Sequence, residues 1–285
     1  MFSTSKRMRR ALLTTLAATL GTAAVVTPVA TAAPGHQPAK HRPTVVLVHG
    51  AWADAAGWNG VVKRLQADGY KVTAPANPLR GLASDSAYLA AYLKTIPGPV
   101  VLVGHSYGGA VVTNAATQSS NVKALVYVAG FALDKDESGN EMFAKFPGSH
   151  LTDDPAAPVP TALNAVPLPP AGGNTGVDLY IKPDKFRDVF LSNRLTTSTA
   201  ASLAATQRPI SAQAAGDASG TPAWKTIPSW YLVSSKDHVI PPAAERYMAK
   251  RAGSHTVEVN APHAVHVTDP DVVTRLVERA ASHAH

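Results

Sequence analysis

Short apolar runs alternate with amphipathic stretches along most of this chain. Thr44-Val45-Val46-Leu47-Val48, Val100-Val101-Leu102-Val103, Val122 to Ala129 and Ile227 to Val233 are four to eight residues long, mostly apolar, the first two largely β-branched, and bounded by turn residues. That length and texture predict buried parallel strands rather than helices. Trp58 to Ala67 instead places Val61, Val62 and Leu65 at helical spacing and closes on Asp68-Gly69, a C-cap signature. Tyr70 to Ala74 reads as a short strand stopped by Pro75 and Pro78, and Ser84-Asp85-Ser86 as the cap of a helix running to about Lys94. Further on, Pro241-Pro242 opens a helix to about Arg251, and His255 to Val259 makes a last strand. Asp271 to about Ala281 closes the chain as a helix with Val272, Val273, Leu276 and Val277 inward. Strand and helix alternate throughout, the pattern of an α/β protein with a doubly wound, mostly parallel sheet.

Between residues 132 and 225 the texture changes. Residues 147–176 carry seven prolines, together with Gly172, Gly173 and Gly176, and are expected to hold no long helix or strand. Pro183 then begins a helix with Phe186, Val189 and Phe190 on one face, and Thr196 to Gln207 a second, ended by Pro209. Phe143, Phe146, Tyr180, Phe186, Phe190 and Trp224 are too many aromatics for a disordered linker, so residues 132–225 read as a small cap inserted into a core formed by 43–131 and 226–285.

The N-terminus changes the charge balance. Lys6, Arg7, Arg9 and Arg10, an apolar run from Ala11 to about Val26 and Ala30-Thr31-Ala32 read as a secretory signal peptide over residues 1–32, followed by a disordered lead-in at 33–42. The whole chain has 26 Lys+Arg against 19 Asp+Glu; without the four basic residues of the signal the formal charge falls from +7 to +3. A nearly neutral mature protein offers no electrostatic reason for nucleic acid as a partner. No later apolar segment is long enough to act as a membrane anchor once the signal is removed. There is no cysteine, which excludes disulfides, thiolate metal sites and a cysteine nucleophile. The expected location is outside the cell.

The chemistry gathers at Gly104-His105-Ser106-Tyr107-Gly108-Gly109, between a predicted strand and a predicted helix at Ala110 to Ala116. A sharp strand-to-helix turn strains its central residue and needs small neighbours two positions away, which Gly104 and Gly108 supply. Such a turn lifts the Ser106 hydroxyl above the sheet and aims the first helical amides at its target. His49-Gly50-Ala51-Trp52, after the first strand, is placed to supply a second amide. The backbone N–H groups of Ala51 and Tyr107 are thus the expected oxyanion donors. A serine hydroxyl also needs an imidazole base, and that base an orienting carboxylate, both on loops after strands. Asp237 and His263 stand there, 26 residues apart. Two rivals are His266, three residues after His263, and Asp134, just past the strand ending at Ala129. His238 reads as a loop side chain, and His283 and His285 as part of a frayed tail. Neither a metal site nor a cofactor is expected.

With Val46-Leu47-Val48-His49-Gly50-Ala51-Trp52, the Ser106 turn, Asp237 with Ile240-Pro241, and His263, the mature chain resembles the α/β-hydrolase superfamily. It is similar to the small-capped serine esterase branch that includes plant methylesterases and hydroxynitrile lyases, and to bacterial relatives. The resemblance implies an α/β-hydrolase fold with a small inserted cap and a serine hydrolase acting through an acyl-enzyme on a small-molecule, mostly apolar ester. Ser106 rather than aspartate at the turn argues against dehalogenase and epoxide-hydrolase chemistry. Lys236 before Asp237 keeps the lyase reading in view, and Pro262 and His266 depart from the surroundings expected of the family's histidine. A ligand-binding protein on a retained hydrolase scaffold, and perhydrolysis or C–C cleavage by the same triad, are the alternatives.

Overall fold

The structure, a computed structural model, describes residues 42–168 and 176–284. The signal peptide at 1–32, the lead-in up to residue 41 and His285 lie outside the described residues. The elements follow in the order β1 (Thr44–Val48), α1 (Asn59–Ala67), β2 (Val72–Thr73), α2 (Leu82–Leu93), β3 (Val100–Ser106), α3 (Tyr107–Ala115), β4 (Val122–Gly130) and α4 (Gly139–Lys145). Then come β5 (Leu163–Pro167), β6 (Val177–Ile181), α5 (Pro183–Leu191), α6 (Thr197–Ala205), β7 (Ile210–Ser211) and α7 (Ala212–Gly216). The chain closes with β8 (Ser229–Ser234), α8 (Pro242–Arg251), β9 (His255–Val259), α9 (Val265–Thr268) and α10 (Pro270–Ala281).

Six strands form one sheet in the order β2-β1-β3-β4-β8-β9, every pairing parallel. The period of two sorts each strand's side chains between two cores. Val46, Val48 and Leu102 join α2, α3 and α8, whereas Val45, Leu47, Val101 and Val103 join Trp58, α1 and α10 on the other face. Covered on both sides, β3 is buried along its whole length, which explains its uninterrupted apolar run. Because all six strands run the same way, the loops after β1, β3, β8 and β9 open at one edge of the sheet, where the site lies.

One local expectation is corrected. Helix α2 begins at Leu82, before the Ser84-Asp85-Ser86 cap, with Gly81 at the N-cap position and no local side-chain cap. The Leu82 amide donates instead to Asp217 Oδ2 at 2.8 Å, a cap 135 positions away that local sequence does not reveal. The proline-rich stretch also contributes a short edge strand: β5 pairs with β6, and β6 with β7, as an antiparallel three-stranded sheet. Pro167 is tolerated at its end because one side of an edge strand needs no amide.

The segment between β4 and β8 is tied to the sheet at defined points. The Trp52 indole donates to Leu179 O at 2.9 Å, the Trp52 amide to Arg208 O at 2.9 Å, and Arg80 pairs with Asp178 at 2.7 Å. The loop after β1 is therefore held between the sheet and the inserted segment.

Candidate active site

Ser106 is the last residue of β3 and the N-cap of α3, with φ 53° and ψ −126°. A side chain held in this sparsely populated region costs on the order of 1–3 kcal/mol and persists only where its surroundings enforce it. The enforcement is steric. A Cβ at Gly104 would lie 2.5 Å from Gly108 O, and one at Gly108 would lie 2.5 Å from Val48 O. The turn is thus closed against both its own helix and the end of β1. A Cβ on Gly50 would stand 2.6 Å from Ser106 Cβ and 2.8 Å from His105 O, so the loop after β1 lies directly against the serine. That contact brings the Ala51 backbone beside Ser106, while Tyr107 supplies the first amide of α3. Such first-turn amides have no intrahelical acceptor, and the α3 dipole adds positive potential there.

Two networks stiffen this wall. His49 Nδ1 donates to Gly50 O at 3.0 Å and its Nε2 accepts from the Asn77 amide at 3.0 Å, which fixes one neutral tautomer. Burial pushes the His49 pKa down. The Tyr107 hydroxyl donates to the buried Asp85 at 2.8 Å, and Asp85 also accepts from the Arg80 amide. Sequence reading missed both braces, since each joins residues 20 or more positions apart; only the Asn-Pro and Ser-Asp-Ser turn signals mark their ends.

His263, in the loop after β9, and Asp237, in the loop after β8, are both buried and meet at 2.5 Å, Nδ1 to Oδ2. The carboxylate accepts, so the ring carries its proton on Nδ1 and leaves Nε2 as the basic nitrogen. Nε2 is buried with no hydrogen-bond partner among the described residues. Asp237 Oδ1 accepts from the amides of Val239 and Ile240 at 2.6 and 2.8 Å, which locks the carboxylate plane. Asp134 is elsewhere, paired with Lys225 at 2.5 Å at the surface. His266 is packed between Trp58 and His105, with ring centroids 4.6 and 4.1 Å away. Burial, with His263 and His49 nearby, lowers its pKa to about 3, so it stays neutral. Of the four acid–base candidates, the structure brings together Asp237 and His263 and leaves Asp134 and His266 apart.

A family model described as the alpha/beta hydrolase family matches residues 45–276, nearly all of the described chain. The chain belongs to that family. Among curated relatives, a carbendazim-hydrolyzing esterase of Nocardioides sp. (strain SG-4G) is 30% identical over 115 residues, 36% of this chain and 46% of that protein. The chain thus spans about half the length of this relative. Polyneuridine aldehyde esterase superposes with a TM-score of 0.69 at 19% identity, covering 84% of this chain and 98% of that one. A methylesterase from Arabidopsis superposes at 0.67 and 18%, covering 84% and 99%. These superpositions show the α/β-hydrolase fold.

In this member of the family a cavity of about 450 Å³ opens at Ser106, Ala51 and Tyr107. Its wall is mainly apolar, with Trp52 and Leu82 from the core side and Phe131, Phe143, Leu151 and Leu179 from the segment after β4. Asp217 is the one charged lining residue among those described, and no cationic side chain faces the space. Lys236 is exposed and does not line it. Outside the cavity, His150 and His238 stack at 3.8 Å and 26°, each bonded to its own oxygen of Asp188 at 2.7 and 3.2 Å. The trio acts as a clasp between the segment after β4 and the loop carrying Asp237, and one nitrogen or oxygen from each of the three lies within 4.8 Å of the others.

Proposed function

We propose that this chain is an exported serine carboxylic-ester hydrolase that works through an acyl-enzyme. The observation that carries the reading is the strained Ser106 in a strand-to-helix turn, opening on an apolar cavity, with the buried Asp237–His263 couple at the same edge of the sheet. In the proposed reaction Ser106 Oγ attacks the ester carbonyl and its proton passes to His263 Nε2. The Ala51 and Tyr107 amides hold the oxyanion. The carbon–oxygen bond to the alcohol then breaks as His263 returns the proton to the leaving oxygen, and water repeats the sequence to release the acid. Asp237 stays ionised and stabilises the imidazolium. The cavity's size and wall suit a small, neutral, mostly apolar ester.

Loss of p-nitrophenyl acetate hydrolysis in Ser106→Ala, with the fold intact by circular dichroism, is the expected result; wild-type turnover would remove the serine mechanism. Export is part of the proposal, and a mature N-terminus just after Ala32 in protein from the culture medium is its expected mark.

A further inference from the structure

Glu245 lies in the first turn of α8 and is completely buried. Its Oε2 accepts from the Ser234 amide at 3.0 Å, whereas Oε1 is buried without a partner. Ser234 links Glu245 to Asp237, since the Asp237 amide donates to Ser234 O at 3.1 Å, and the buried Asp237 charge acts on the Glu245 carboxyl. Facing it are Asp237 from the loop after β8, Tyr231 and the Ser234 amide from β8, and Arg246 from its own helix. Tyr231 spends its hydroxyl proton on Gly130 O at 2.5 Å, and Arg246 is exposed and held by Glu258 at 2.6 Å. No cation is therefore buried against Glu245 among the described residues.

Two ionised carboxylates cannot share a buried site, so this pair holds a proton. The donors decide where it resides. Asp237 receives three, from the Val239 and Ile240 amides and His263 Nδ1, while Glu245 receives one. Donors favour the ionised form, which makes Asp237 the anion and Glu245 the acid. An ionised carboxylate offers about four acceptor positions. Three are filled on Asp237, which leaves the fourth for the Glu245 hydrogen; the Ser234 hydroxyl is the other buried donor there without a partner among the described residues.

We propose that Glu245 remains protonated in the folded enzyme and donates from Oε1 to the Asp237 carboxylate, a positioning residue that holds Asp237 against His263. This rests on the reading of Asp237 and His263 as acid and base. The proton stays on Glu245 throughout turnover; no bond to it breaks. Burial first, and the Asp237 charge second, push its pKa well above the ordinary glutamate range.

The deciding experiment compares wild type with Glu245→Gln, whose amide places an N–H where the Oε1 hydrogen stands and keeps a carbonyl for Ser234. Infrared difference spectra at neutral pH are expected to show a protonated carboxylic-acid carbonyl band in wild type that is absent from the variant. Folding gives an independent reading. A group whose folded pKa is raised contributes stability fully below its unfolded value and loses it as pH rises. Above about pH 5 the wild-type folding constant should therefore fall relative to that of the variant by about tenfold per pH unit. A missing band, or a stability ratio flat between pH 5 and neutrality, overturns the assignment.

The positioning role is read from kinetics. Glu245→Met should lower kcat about tenfold to a hundredfold, the loss of one hydrogen bond to a charged group, with KM unmoved because Glu245 does not line the cavity. Glu245→Gln should recover most of that loss. Equal losses in both variants would overturn the role. The infrared and folding readouts do not depend on turnover, so their failure is distinguishable from failure of the serine mechanism, which Ser106→Ala reads.

Discussion

Replacing Asp237 by asparagine changes one atom and should disable the base without moving it. Asp237 Oδ1 accepts from the Val239 and Ile240 amides, and Oδ2 from His263 Nδ1. The asparagine must keep its carbonyl toward the two amides, because turning its NH₂ there would strand two buried N–H groups at about 1–3 kcal/mol each. Its NH₂ then takes the place of Oδ2 and donates toward His263. His263 Nδ1 must become the acceptor, and the ring proton moves to Nε2, the nitrogen that has to be bare to take the serine proton. The base is left in the wrong tautomer and the imidazolium loses its counter-charge. In serine proteases the equivalent change lowers kcat by about 10⁴-fold, or roughly 5.5 kcal/mol of barrier, and the same loss is expected here. KM should hold, since Asp237 does not line the cavity. The assay is kcat and KM on p-nitrophenyl acetate, with urea unfolding to verify the fold. A kcat within tenfold of wild type would refute the reasoning. Asp134→Asn, run in parallel, should stay within about twofold, because Asp134 makes a partly exposed pair with Lys225 of the kind worth little.

Other consequences are open to measurement. Gly50→Ala puts a methyl 2.6 Å from Ser106 Cβ, so the loop carrying the Ala51 amide must retreat, and kcat should fall by about 10²–10³, the effect of losing an oxyanion donor. A residual rate near wild type would take Ala51 out of the oxyanion site. Esters carrying a distant carboxylate should react at least about tenfold more slowly than neutral isosteres, since the cavity has one carboxylate and no cation among its described lining residues. Equal rates would mean that the charge never enters the cavity. Burial would raise the Glu137 pKa, but its bond from Arg251 outweighs this and leaves it lowered. A lowered folded pKa contributes stability above the ordinary carboxylate range that is lost as pH falls. Glu137→Gln should therefore be about 1 kcal/mol less stable at pH 7 in urea titrations, with the gap closing toward acid pH. A gap independent of pH would mean that charge is not its source.

The parallel sheet was legible because β1, β3, β4 and β8 are buried on both faces, which leaves continuous apolar runs in the sequence. The Ser106 turn was legible because Gly104, Gly108 and Gly109 fall within six residues of the chain. Asp237 and His263 were placed by the rule that loops after parallel strands share an edge, and their contact follows from β8 and β9 lying side by side. What escaped reading is long-range. The cap of α2 comes from Asp217, the brace on His49 from Asn77, and the antiparallel sheet between β4 and β8 from strands too short and proline-marked to announce themselves. Glu245 is a further kind of miss. In a helix opening Pro-Ala-Ala-Glu-Arg nothing marks it, and only the packing of α8 on the end of β8, where Ser234 donates to it, shows it to be buried beside the turn that carries Asp237.

The central claim is that Ser106 is the nucleophile, and trapping it is the most direct test. The purified protein would be treated with a fluorophosphonate, digested and mapped by mass spectrometry, with Ser106→Ala and His263→Ala alongside. One adduct per chain on Ser106, formed in step with the loss of ester hydrolysis, absent from Ser106→Ala and greatly slowed in His263→Ala, is the result this structure predicts. An adduct on another residue, or full inactivation with Ser106 unmodified, would contradict it.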